Sequence, residues 1–149
     1  MELTPQQENE QTSFDNYIAK IEKIRDFMGW KKEEVRREFE TRVYCLDQSG
    51  VIVAQSAYPP FDRDWNIMWK VIEKINYDTT VPVSGGVNTF KVTLEKWQCK
   101  VEQITGWYAT NVVATRSVQD PENTDYLGTV VFECISDFVD YYNTCPEKQ

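Results

Sequence analysis

The sequence predicts an α+β fold, a helix–sheet sandwich in which a mainly antiparallel sheet of about 4–5 strands is covered by three helices. Three observations predict it. Apolar residues recur at helical spacing in three separate stretches, β-type alternation fills the intervals between them, and hairpin turn residues join the alternating runs. The resulting order is α-β-β-α-β-β-β-α.

The first helix is marked by Phe14, Tyr17, Ile18, Ile21, Ile24 and Met28, which share one face at i, i+3, i+4, i+7 spacing. Thr12 and Ser13 are N-cap candidates, Asp15 suits the positive end of the helix, and Gly29 is placed to end it. Residues 1–12 are polar and aperiodic, which predicts a flexible tail ahead of a single domain over 13–145. Residues 31–40 are dense in both charges, with only Val35 and Phe39 apolar, and read as a loop or a short helical turn.

Arg42–Asp47 and Val51–Ser56 flank Gln48-Ser49-Gly50, a hairpin signature. Tyr58-Pro59-Pro60-Phe61 stops the second strand, since proline cannot continue a ladder. The middle helix opens at Asp62 or Asp64 and presents Trp65, Met68, Trp69, Ile72 and Ile75 on one face. Residues 78–86 read as a loop. Phe90, Val92 and Leu94 then alternate with polar residues, and after Glu95-Lys96 the phase flips to Trp97, Cys99 and Val101, predicting a tight turn or a bulge. Trp107–Thr115 supplies one more strand, and 119–123 a loop. Asn123, Thr124 and Asp125 can cap the last helix, whose apolar side carries Leu127, Val130, Val131, Cys134, Ile135, Phe138, Val139 and Tyr142, and Pro146 ends it.

Composition narrows the chemistry. The net charge of −8 over 149 residues opposes binding to duplex nucleic acid, whose phosphates it repels. No window approaches the roughly 18 apolar residues of a membrane helix. The N-terminus has neither the basic nor the apolar region of a signal peptide, so the chain is expected to stay where it is made. Cys45, Cys99, Cys134 and Cys145 show no CxxC spacing; the first three fall in apolar patterns and read as reduced core thiols.

The chain has no histidine, which removes histidine-based triads and metal sites, and no phosphate-binding glycine string occurs. No catalytic residue, cofactor or metal site is assigned. Magnesium-dependent carboxylate chemistry stays formally open, but Asp62 and Asp64 are explained by helix capping.

Two clusters are left as binding candidates. Arg36, Arg37 and Arg42, with Trp30 read as exposed, could stack on and charge-pair a nucleotide; the interspersed glutamates make a self-paired, solvated segment the competing reading. Glu133, Asp137 and Asp140, at i, i+4 and i+7, form an acidic ridge on the last helix. That ridge either docks on a basic partner, such as a nucleic-acid-binding protein, or is an ordinary wet face. Five tryptophans are a surplus for a small core, and indole is favoured at interfaces.

Three segments together resemble a known family. They are Phe27-Met28-Gly29-Trp30-Lys31, the middle helix from Asp64-Trp65-Asn66-Ile67-Met68 to Ile75, and Val131-Phe132-Glu133-Cys134-Ile135 through Asn143. Their order and spacing are similar to the phage ABA-sandwich domains of Bacteroidetes phages and prophages, helix–sheet–helix proteins without an assigned biochemical role. The charged 31–40 stretch, the Tyr58-Pro59-Pro60-Phe61 approach and the long 105–125 region depart from that pattern. The resemblance implies a phage-encoded accessory protein in a bacterial cytoplasm, and the missing catalytic motifs add the expectation that it is a non-catalytic binding module. Its expected partner is a small nucleotide ligand or a host protein, and it is a possible homo-oligomer.

Overall fold

A computed structural model of the protein describes residues 2–118 and 127–145. The expected 119–123 loop, the capping residues Asn123, Thr124 and Asp125, and the stop at Pro146 lie outside the described residues. The fold is α+β, with three helices and two antiparallel sheets. Backbone contacts group the chain into two compact units, Met1–Pro59 and Pro60–Gln149, where the sequence predicts one domain over 13–145.

The first unit begins with helix α1 (Pro5–Met28). It starts eight residues before the expected first position of 13, because Thr4 builds a capping box. Gln7 N–H donates to Thr4 Oγ1 at 3.1 Å, and Thr4 N–H donates to Gln7 Oε1 at 2.9 Å, with Pro5 at the first helical position. The stretch from 5 to 12 is helical but wet on every side, so it carries no apolar period to read. The stripe buries only at its far end, at Ile21, Ile24 and Met28, while Phe14 remains exposed. Gly29, at φ 71°, ends the helix in a Schellman arrangement: its N–H reaches Asp26 O at 3.0 Å and the Trp30 N–H reaches Arg25 O at 3.1 Å.

Three strands follow, β1 (Lys31–Arg36), β2 (Thr41–Leu46) and β3 (Ile52–Ala54), paired in that order. The charged 31–40 stretch is thus a strand and a turn, not a loop or helical turn. β1 runs from Lys31 opposite Leu46 to Arg36 opposite Thr41, and Arg37 N–H donates to Glu40 O at 2.7 Å across the turn. Charged side chains suit this edge strand, which is solvated on both faces and must not recruit another strand. The β2–β3 turn is organised by Asp47 Oδ1, which accepts from Ser49 N at 2.8 Å and Val51 N at 3.0 Å.

The second unit holds α2 (Trp65–Asp78), β4 (Val81–Val83), β5 (Gly86–Glu95), β6 (Gln98–Thr105), β7 (Tyr108–Ser117) and α3 (Leu127–Thr144). Its four strands form an antiparallel meander. β4, expected as loop, is a three-residue edge strand interrupted by Pro82, too short to show alternation. Phe90, Val92, Cys99, Val101 and Ala114 are buried on the sheet. α3 lies against β6 and β7, and α2 against β5. Where β4 stops, α2 takes over protection of the β5 edge: Val92 N–H donates to Asn76 Oδ1 at 2.8 Å.

β7 is the other edge. It holds extra residues against β6 at two places, since Val101 pairs with Ala114 but Glu102 with Val112, and Gln103 pairs with Asn111 but Ile104 with Ala109. These bulges disrupt the ladder and raise the local twist, which blunts an otherwise long edge. The expected phase flip after Glu95-Lys96 is the two-residue Lys96-Trp97 turn of the β5–β6 hairpin. Trp97 sits there at φ 69°, so it leaves the inward series that Cys99 and Val101 continue.

The core differs from expectation along α2. Ile67, Met68, Val71, Ile72 and Ile75 are buried, whereas Trp65 is 44% and Trp69 51% exposed. Both sets satisfy a helical period, and the set that sinks is the one made of aliphatic side chains. Leu94 is also exposed, and Val43 and Leu127 are half-buried. On α3, Val131, Ile135 and Phe138 are fully buried as expected.

α2 begins at Asp64, whose Oδ1 accepts from Asn66 N at 3.0 Å and Ile67 N at 3.4 Å. Asp64→Ala is expected to lower stability by about 0.5–2 kcal/mol, the usual cost of an N-cap, read as the shift of a urea unfolding midpoint. Asp64→Ser should recover most of that loss.

Candidate functional site

The β2–β3 ladder holds only over Cys45–Ala54 and Leu46–Ile52, with a register shift between the two pairs. Beyond Ala54 the chain leaves β2 toward Pro59 and Pro60. Thr41–Tyr44 on one side and Gln55–Tyr58 on the other therefore diverge, and a cleft of about 620 Å³ opens between them. Its wall on the departing side is held in place by Arg25, whose Nη1 donates to Ala57 O at 2.9 Å, and by Ser56 Oγ, which accepts from Tyr58 N at 3.1 Å.

Arg42 is the charged group of the cleft. Tyr44 first, and then Glu40, raise its guanidinium above the ordinary arginine value by hydrogen bonding. The Glu40 carboxylate lies 3.0 Å from Arg42 Nε, and both side chains are about half exposed. Tyr44 and Tyr58 add rings, and Thr41, Gln55 and Ser56 add hydroxyl and amide groups.

The structure breaks up the expected basic cluster. Trp30 is buried, at 6% exposure, because the Schellman ending of α1 turns it inward; it cannot stack on a ligand from solvent. Arg36 lies opposite Thr41 and Arg42 opposite Val35, so neighbouring positions on the ladder send these two arginines to opposite faces. Arg36 is within 3.6 Å of Glu34, and Arg37 is exposed in the β1–β2 turn. Of the four candidates only Arg42 lines the cleft. Tyr44, Tyr58, Gln55 and Ser56 were not foreseen. The readable signal is the Pro59-Pro60 pair, which bars the segment after β3 from rejoining the ladder at those positions.

The acidic ridge is also altered. Asp137 accepts from Arg116 on β7 through both oxygens, at 2.7 and 3.2 Å, and this pairing raises the Arg116 guanidinium. Glu133 and Asp137 are half-buried, and Asp140 is the exposed member of the three. α3 has little outer face, since Phe132 and Ser136 are buried as well as its expected apolar side. Asp64 is engaged in capping, and Asp62 is mostly buried, 4.0 Å from Arg63. Among the described residues no group of three or more Cys, Asp or Glu side chains is placed to hold a metal ion. None of the described helices is long and apolar enough to cross a membrane. Cys45, Cys99 and Cys134 are free and buried, as expected, and the Cys134 thiol donates to Cys99 O at 3.4 Å.

Four of the five tryptophans are exposed: Trp65, Trp69 and Trp97 by about half, and Trp107 by 94% at the β6–β7 turn. The expectation that Trp65 and Trp69 belong to the core is therefore corrected. Indole is usually well buried, so this is an unusual surface for a small chain.

Compared with family models, curated proteins and solved structures, the chain matches none.

Proposed function

We propose that the protein is a non-catalytic binding module that takes a small anionic, ring-bearing ligand of the nucleotide class in the Arg42 cleft. The phage accessory role implied by the three resembling segments, with sequestration of a host nucleotide signal as its concrete form, belongs to the same proposal. The observation that carries it is the divergence of β2 from the 55–58 segment, which leaves a cleft walled by one guanidinium, two phenols and several neutral polar groups. A phosphate would take Glu40's place on Arg42. An exposed ion pair of this kind is worth only about 0–1 kcal/mol, so the exchange is cheap. A fork of guanidinium donors then holds two phosphate oxygens at once.

The acidic ridge has less support as a docking surface, because Arg116 already neutralises its central residue. Magnesium-dependent carboxylate chemistry has none beyond the presence of the carboxylates.

The test is thermal denaturation with a panel of mono-, di- and cyclic nucleotides. A ligand at about 100 times its Kd stabilises a single-site protein by about 2.7 kcal/mol, a readily measured rise in Tm. Arg42→Ala should abolish that rise while leaving the ligand-free Tm almost unchanged, since Arg42 is solvent-exposed. No shift with any nucleotide overturns the ligand class.

A further inference from the structure

The outer side of α2 carries Trp65, Trp69, Glu73 and Tyr77 at four-residue intervals, all exposed, with Lys70 beside them. Trp65 is 44%, Trp69 51% and Tyr77 80% exposed. Together these rings leave on the order of 400 Å² of aromatic surface in water, about half of what one side of a standard protein interface buries. Their four-residue spacing puts them along one ridge of the helix. Beside Trp65 the surface sinks into a cavity of about 710 Å³, bordered by Arg63 and Gly128.

We propose that this face is an isologous interface with a second copy of the chain, formed by antiparallel packing of α2 on α2. The proposal does not depend on the Arg42 cleft. The charges select this occupant. Lys70 is exposed beside the ridge on the N-terminal half of α2, and Glu73 is exposed on it in the C-terminal half. A two-fold axis between Val71 and Ile72 brings Lys70 of each copy opposite Glu73 of the other. It brings Tyr77 of each copy toward the Trp65 cavity of the other. In a two-fold contact each favourable pair is formed twice. A parallel arrangement would instead set Lys70 against Lys70 and Glu73 against Glu73. The local pairing also answers the long-range repulsion between two chains of net charge −8.

Sedimentation equilibrium of the full chain across micromolar concentrations tests this, with circular dichroism confirming that each variant folds. The wild type should dimerise. Lys70→Glu places carboxylate against carboxylate at both ends of the axis and should raise the dimer Kd by about tenfold or more. Glu73→Lys should do the same, and the double variant Lys70→Glu/Glu73→Lys should return Kd close to wild type. Trp69→Ala should weaken the dimer without altering the circular dichroism spectrum. A wild type that stays monomeric, leaving the ridge for some other protein, overturns the proposal. So does a dimer whose Kd ignores both single reversals, because its interface then lies elsewhere.

Discussion

Phe138→Ala should lower the unfolding free energy by about 3–5 kcal/mol, seen as a large drop in the urea midpoint with little change in slope. Phe138 is completely buried on α3. Its ring meets Phe90 of β5 edge-on at 5.0 Å between centroids and lies 6.2 Å from Tyr142 and 6.4 Å from Tyr141. Truncation removes the contact of helix with sheet and leaves a cavity that these neighbouring rings cannot collapse into. Most domains have only about 5–15 kcal/mol in hand, so the variant should be partly unfolded at physiological temperature. Phe138→Leu, which keeps much of the volume, should lose far less.

The second large effect is expected at Gly128, in the first turn of α3. A Cβ built there would lie 2.5 Å from Asp62 O, a backbone atom that has no rotamer to change. Gly128→Ala must therefore push α3 away from the segment ahead of α2. Overpacking of this kind costs about 1–3 kcal/mol, which outweighs the roughly 1 kcal/mol that alanine gains over glycine inside a helix. The sign is the test: a helical Gly→Ala change that raised Tm would show that the approach of α3 to Asp62 is not close. Gly29→Ala is a useful contrast, because there the obstruction is the flexible end of Gln48 and the penalty comes from φ 71°.

Some of these features could be read from the sequence because a single local rule decided them. Gly29 ends α1, Asp64 caps α2, Gln48-Ser49-Gly50 turns a hairpin, and Phe90 and Val92 alternate into the core, each for reasons contained within a few residues. Other features had no local signal. Helix residues 5–12 and strand β1 face water on all sides, and an element without a buried face has no apolar period. On α2 the opposite problem arose, since two overlapping apolar stripes fit the same period and only the sheet chooses between them. The binding residues were the least legible. Arg42 is marked by its charge, but nothing local marks Trp30 as buried, because the Schellman turn that buries it is a matter of backbone direction. The cleft exists because a ladder fails to close, and pairing across a sheet is not written in either strand alone.

The distribution of indoles has a spectroscopic consequence. Trp30 is the only tryptophan between residues 1 and 59, and it is also the only one of the five that is buried. Its emission should be the blue component of the protein's fluorescence and should resist acrylamide, while Trp65, Trp69, Trp97 and Trp107 emit red and are quenched. Loss of the blue component on titration with denaturant would then report the opening of the first unit by itself. The red component would barely move, because indoles already in water have little further to go.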